Sequence, residues 1–213
     1  MRKGAFFILF VFTLVSSLSA QEIGTVVLNM PESIVMGLEA SQKDLLIADS
    51  KDTTQITISR DSNGEIKRLA FSSDYIHLQT SDAGTIQIKL LPLINDSKIV
   101  CVVKTVCGKA CDSRIEFYTT KWLPIAQADL FPIKDKSKKW FIKSDIDNND
   151  LEFKNAYAAL DMAPFKMSLS PDNNNLILTY DIKNYLSEED YKKIQPYLNE
   201  EPKVFKWDKI SYK

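Results

Sequence analysis

Histidine is almost missing from this sequence: His77 is the only one in 213 residues. A histidine base needs a nucleophile and an orienting group within hydrogen-bond reach. His77 instead alternates with Tyr75 and Gln79, opposite Gln87 in the next strand, and reads as a surface residue on the polar face of a sheet. Glycine is scarce as well, with six residues at positions 4, 24, 37, 64, 84 and 108. They build no G-x-S-x-G elbow, phosphate loop or G-x-G-x-x-G turn. Neither charge dominates: 27 Lys and Arg face 28 Asp and Glu, for a net charge of −1. That excludes the basic footprint of a general nucleic-acid binder. Beyond residue 20 no apolar run approaches the ~18 residues of a membrane-spanning helix.

What is present is a globular composition, 45% hydrophobic and 26% charged, which rules out wholesale disorder. Residues Met1 to Ala20 read as a signal peptide. Arg2 and Lys3 form the positive start, Ala5 to Val15 the apolar stretch, and Ser16, Ser17, Ser19 and Ala20 the small-residue exit. Cleavage is expected before Gln21, with a retained anchor as the alternative.

The N-terminal helical signal lies at Pro31, suited to an early helical position, with Ile34, Val35 and Leu38 on one face. Leu45, Leu46 and Ile47 mark a second short helix. From Thr54 the period is two. Asn63-Gly64 signals a hairpin that sets Ile58 opposite Leu69 and Ile56 opposite Phe71. The next hairpin turns at Ser81 to Gly84 and places Leu78 against Ile86 and Ile76 against Ile88, all on one face. A third runs from Lys98 to Thr120 about Gly108-Lys109-Ala110. Six strands make an antiparallel meander.

The charged stretch Lys134 to Lys139 marks a boundary between residues 21–133 and a mixed lobe at 134–213, or a surface loop within one domain. Beyond it, Asn149 or Asp150 caps a helix bearing Phe153, Ala156, Tyr157 and Leu160. Phe165, Met167 and Leu169 form a strand answered by Leu176, Leu178 and Tyr180. Ser187 with Asp190 resembles a capping box, Pro196 ends that helix, and Val204 to Tyr212 reads as a last strand.

Three cysteines remain. Cys101 points into the core. Cys107 and Cys111 flank the third turn, close enough for a disulfide if their Cα atoms lie within ~7 Å; two free thiols are the alternative. The spacing is not C-x-x-C, so nothing lowers a thiol pKa, and zinc would need a fourth ligand. Asp145, Asp147, Asn149 and Asp150 imitate a calcium loop. Asp150 and Ala156 occupy the positions where that loop needs Gly and Glu, so the segment reads as an acidic lead-in to a helix. No metal or cofactor is expected, and no catalytic residue is assigned. Twelve of the 22 aromatic residues fall in the last 74 positions. Trp207 and Tyr212, set among Lys206, Asp208 and Lys209, are the candidate binding surface.

The stretches NMPESI (Asn29 to Ile34), DYIHLQTS (Asp74 to Ser81), TIQIKLLPL (Thr85 to Leu93) and KIVCVVKTVCGKACDSRIEFYTTKWLPI (Lys98 to Ile125) resemble domain of unknown function 3256, a family of exported Bacteroidales proteins. The resemblance covers nearly the whole chain beyond the leader and carries no catalytic motif. It implies the periplasm or cell surface of a Gram-negative anaerobe.

The expected fold is α+β, an antiparallel meander with N-terminal helices and a mixed C-terminal lobe. The expected function is an exported, non-catalytic envelope protein that binds another protein or a glycan, with no nucleic acid and no membrane span after leader cleavage. A carboxylate-dependent glycan or peptidoglycan hydrolase is the alternative, and a Cys107/Cys111 redox switch a lesser one.

Overall fold

The computed structural model describes residues 23–48, 56–60, 64–131, 138–162 and 164–213. The leader and the segment 134–137 lie outside them. Among the described residues the chain is an α+β fold in layers: helices, a large antiparallel sheet, a small sheet, then more helices.

The large sheet is a meander of seven strands in sequence order. They are β1 (Ile56–Arg60), β2 (Gly64–Phe71), β3 (Tyr75–Gln79), β4 (Gly84–Pro92), β5 (Lys98–Cys107), β6 (Cys111–Thr119) and β7 (Pro124–Ile125). The second hairpin has the expected register, Ile76↔Ile88 and Leu78↔Ile86, and all four residues are buried together. The third closes on Cys107↔Cys111 about the expected turn.

The first hairpin differs. Ile58 pairs with Ile66 and Ile56 with Arg68, three positions from the expected partners. The closing pair is Arg60↔Gly64, with Gly64 at φ +73° ending the turn rather than sitting at its centre; Asn63 lies outside the described residues. A slip by an odd number exchanges the faces. Ile66 and Arg68 therefore point inward, and Leu69, in the bulge between Arg68 and Ala70, is exposed. The buried Arg68 guanidinium donates to the carbonyls of Leu46 (2.7 Å) and Ala48 (2.9 Å). It satisfies the carbonyl end of α2 (Ala40–Ile47), which would otherwise lack partners.

Helix α2 matches the expected second helix. The first is displaced: α1 is Ile23–Leu28, ahead of Pro31. Ile23, Val26 and Val27 are its buried face. From Pro31 the chain only turns, with the Ile34 amide bonded to the Pro31 carbonyl. Gly37 then adopts φ +68°, outside helical geometry. Ile34, Val35 and Leu38 are buried nonetheless, with α1 and α2, against Ile66, Ile76, Leu78, Ile88, Val100 and Val102 of the sheet. The Trp122 indole, donating to the Val26 carbonyl at 2.9 Å, ties the β6–β7 turn to α1.

The opposite face carries the small sheet, ordered β10-β9-β8, with β8 (Phe165–Leu169), β9 (Leu176–Tyr180) and β10 (Lys203–Phe205). Cys101, Val103, Ile115 and Phe117 of the large sheet share one core with Phe165, Met167, Leu169, Leu176 and Leu178. Strand β8 is the edge of its sheet, and its outward amides meet side chains of the large sheet. Phe165 N–H donates to the Asp112 carboxylate (3.2 Å), Met167 N–H to the Ser113 hydroxyl (2.9 Å) and Leu169 N–H to the Gln87 amide oxygen (2.7 Å). Lys89, its side chain 2% exposed, donates to the Pro171 carbonyl and pairs with Asp74, both at 3.0 Å.

Four further α-helices lie among the described residues: α3 (Gln127–Leu130), α4 (Leu151–Ala158), α5 (Ile182–Tyr185) and α6 (Glu188–Ile194). Asp150 caps α4, its carboxylate accepting from Glu152 N–H at 2.9 Å. Ser187 caps α6, which gives way at Pro196 to a 3₁₀ turn, Gln195–Tyr197. Phe153, Ala156, Leu160, Ile182, Ile194 and Leu198 form a third cluster between these helices. The last strand is shorter than expected. Only Lys203–Phe205 pairs with β9; the chain then folds back on itself, with Trp207 bridged to Tyr212 and Lys209 at φ +72° in the turn.

Candidate functional site

A cleft of about 830 Å³ opens beside the third cluster. Its wall begins at a 3₁₀ turn, Lys138–Phe141. The chain after that turn runs antiparallel to the end of the second 3₁₀ turn. Lys143 N–H donates to the Tyr197 carbonyl (2.9 Å) and Asn199 N–H to the Phe141 carbonyl (2.7 Å); Ile142 is bridged to Leu198. Helix α4 supplies the far wall through Phe153, Lys154, Tyr157 and Ala158, and β10 contributes Lys203. The volume falls within the ~300–1,000 Å³ of small-ligand sites.

The lining combines rings, amides and cations. Trp140 packs on Phe205, ring centres 5.4 Å apart, and the Lys203 ammonium lies 5.4 Å from the Trp140 ring centre, within cation–π range. Tyr157 packs on Phe153 at 5.5 Å. The Lys143 ammonium donates to the Pro196 carbonyl at 2.6 Å, which leaves two of its three N–H groups for other acceptors. Asn148, Asn199 and Ser144 add amides and a hydroxyl. Among the described lining residues there are three lysines and no Asp or Glu. Two neighbouring acids are engaged elsewhere: Asp147 accepts from Asn149 N–H (2.8 Å) and Asp150 caps α4.

The candidates from the sequence lie away from this cleft. Cys107 and Cys111 are joined across the hairpin tip, with Cα atoms 4.0 Å apart. The Cys111 amide donates to the Asp181 carboxylate at 2.6 Å, tying that tip to the start of α5. Cys101 is a buried free thiol, and burial pushes its pKa well above the ordinary thiol range.

The expected Trp207 and Tyr212 surface does not form. Tyr212 is 1% exposed and packs between Phe117 and Phe131, ring centres 6.4 and 6.1 Å away. Its pKa is raised by burial, and among the described residues its hydroxyl, beside the Cys101 thiol, has no hydrogen-bond partner of ordinary geometry. Trp207 is half-buried, its indole donating to the Pro92 carbonyl at 2.7 Å. The charged neighbours misled: the turn carries Lys206, Asp208 and Lys209 outward while folding both rings inward.

The face of His77 is likewise no solvent face, since Tyr75 and Gln87 beside it are buried under the small sheet. His77 is half-buried, and among the described residues its Nε2 has no hydrogen-bond partner. Desolvation, then the Lys166 charge, lowers its pKa. Among the described residues no group of three or more His, Cys, Asp or Glu could hold a metal, and no helix is long and apolar enough to cross a membrane.

The cleft residues escaped the sequence reading because they come from three separated segments. The crowding of aromatic residues after position 139 pointed to the region, but not to the grouping of Trp140 with Lys143, Lys154 and Lys203.

Comparison with known proteins gives a family and a fold. No curated protein matches. A domain of an uncharacterized protein from Porphyromonas gingivalis W83 has a similar structure, with a TM-score of 0.80 and 26% identity over 90% of this chain and 98% of that one. A family model described as a protein of unknown function, DUF3256, matches residues 15–212. With nearly its whole length inside that model, the chain belongs to the DUF3256 family.

Proposed function

We propose that this is an exported, non-catalytic binding protein of the cell envelope, and that the cleft between the Lys138–Phe141 turn and α4 holds its ligand. The observation that carries the reading is the cleft itself: aromatic, amide and lysine side chains line one concavity. Such groups orient a bound molecule. Export rests on the leader, Arg2 and Lys3 followed by the apolar run Ala5 to Val15, and the envelope placement on the company of that leader with the family resemblance. The alternative, a carboxylate hydrolase, calls for two acids about 5–9.5 Å apart around the scissile bond; no acid is among the described lining residues.

The test is co-sedimentation of the purified protein with fractionated envelope, run beside an assay for released reducing ends. Retention of the wild type, lost in Trp140→Ala and reduced in the exposed-face variant Lys154→Gln, supports the reading. Sustained release of reducing ends by the wild type, or retention unchanged in both variants, overturns it. Mass spectrometry of the native protein checks export: its chain should begin at Gln21.

A further inference from the structure

We propose that the ligand of this cleft is an acidic saccharide, a sugar whose carboxylate sits among Lys143, Lys154 and Lys203. The inference deepens the binding reading above and rests on it.

Three features of the lining select this class. The first is charge. Three lysines and no Asp or Glu line the cleft among the described residues, although acids outnumber bases in the whole chain. The acids of the adjoining segment, Asp145 and Asp147, alternate with Ser144, Ile146 and Asn148 and fall outside the lining. Along the lining itself an anion meets basic side chains and no acidic ones among the described residues. Two of the cations are already held in place, Lys143 by the Pro196 carbonyl and Lys203 against Trp140, so less side-chain freedom is lost on binding.

The second feature is the pair of rings in the lining, Trp140 and Tyr157. Flat, weakly polar walls suit the C–H faces of a pyranose ring, and Tyr and Trp offer such area at low conformational cost. The third is the pair of side-chain amides, Asn148 and Asn199, with the Ser144 hydroxyl. An amide both donates and accepts, which matches the paired hydroxyls of a sugar. An acidic peptide would use the lysines but presents no such ring edge. Inorganic phosphate would use them and leave most of the volume empty.

The test is titration of the purified protein at low salt with five probes: oligogalacturonate, its methyl ester, muramic-acid disaccharides from peptidoglycan, polyglutamate and inorganic phosphate. Tryptophan fluorescence and calorimetry give the affinities. One of the two sugar carboxylates should bind at least about tenfold more tightly than the neutral ester and than polyglutamate, and which one binds separates a uronic-acid source from a peptidoglycan source. Single Lys143→Gln, Lys154→Gln and Lys203→Gln substitutions should each weaken that binding about two- to fivefold, as for exposed ion pairs. Added salt should weaken it further.

Equal binding of the ester, or equal or tighter binding of polyglutamate or phosphate, overturns the assignment. So does the failure of both sugar acids. In that event the envelope co-sedimentation separates the two ideas. If Trp140→Ala and Lys154→Gln still lose retention, the cleft stands as a site and only the saccharide class falls. If retention is unaffected, both fall.

Discussion

The amide of Leu169 donates to the side-chain oxygen of Gln87 at 2.7 Å, across 82 positions of sequence. The contact joins the two sheets. Gln87 is 6% exposed on the face of β4, and Leu169 lies on the edge strand of the small sheet. An edge strand presents unpaired amides, and a buried unpaired amide is costly. Gln87, Ser113 and Asp112 answer three of them in a row, so the large sheet supplies through side chains what a fourth strand would supply through its backbone.

Replacing Gln87 with Leu should therefore cost about 1–3 kcal/mol, the desolvation penalty of one buried donor left without a partner. The shape of the core is nearly kept, so the loss reports the hydrogen bond. Urea unfolding should show a lower midpoint with an unchanged slope. Gln87→Glu, which retains an acceptor, should lose less. Equal stability of wild type and Gln87→Leu would show that β8 does not depend on this bond.

Much of the large sheet was legible because its hairpins obey local rules. Ile76, Leu78, Ile86 and Ile88 alternate cleanly about one turn, and their register follows from alternation alone. The first hairpin shows the limit. Asn63-Gly64 is a sound turn signal, yet Gly64 serves as the end of a longer turn, and the odd offset exchanged Leu69 for Arg68 on the inner face. The inter-sheet layer was illegible for a different reason. Gln87, Ser113 and Lys89 look like solvent-facing polar residues, and only the arrival of β8 and the turn after it, 54 to 82 residues later, makes them interior. The cleft had the same difficulty, since Trp140, Lys154 and Lys203 become neighbours only when the 3₁₀ turns pair.

Tyr212 separates a core role from a surface role. Its ring is enclosed by Phe117, Phe131 and Trp207, and among the described residues its hydroxyl has no well-formed partner. Tyr212→Phe should be neutral or slightly stabilising, because it removes a buried polar atom without opening a cavity. Tyr212→Ala should cost about 3–5 kcal/mol, as for other buried rings. Thermal unfolding of the two variants checks this. A Tyr212→Ala protein of wild-type stability that fails to bind envelope would restore the tyrosine to the surface.

The cysteines make a prediction in whole numbers. Cys107 and Cys111 are paired and Cys101 is buried. Alkylation followed by mass spectrometry should label no thiol in the native protein, one after unfolding without reductant, and three after unfolding with it. The bridge closes a very short loop, so the Cys107→Ser/Cys111→Ser double variant should lose only about 2 kcal/mol by the loop-entropy relation. Three labels without reductant would mean the bridge does not form.

His77 should give the protein a pH dependence that can be assigned to one residue, because the chain has no other histidine. Desolvation beneath the small sheet and the Lys166 charge hold its native pKa below the ordinary value near 6.5. Between that lowered value and pH 6.5 the unfolded chain binds the extra proton and the native chain does not. Stability then rises with pH across this window, because the state with more bound protons is favoured on the acid side. The His77 contribution is complete above about pH 6.5 and declines as the pH falls through that value. The carboxylates add their own losses at lower pH, so the useful measurement is the difference between wild type and His77→Gln. That difference should be flat above pH 7 and should move against the wild type as the pH drops from about 6.5 toward 5. The single imidazole resonance, followed by NMR, should titrate below 6.5. An imidazole that titrates above 6.5, together with a difference of opposite sign, would place His77 beside an acid rather than beneath β8 and Lys166.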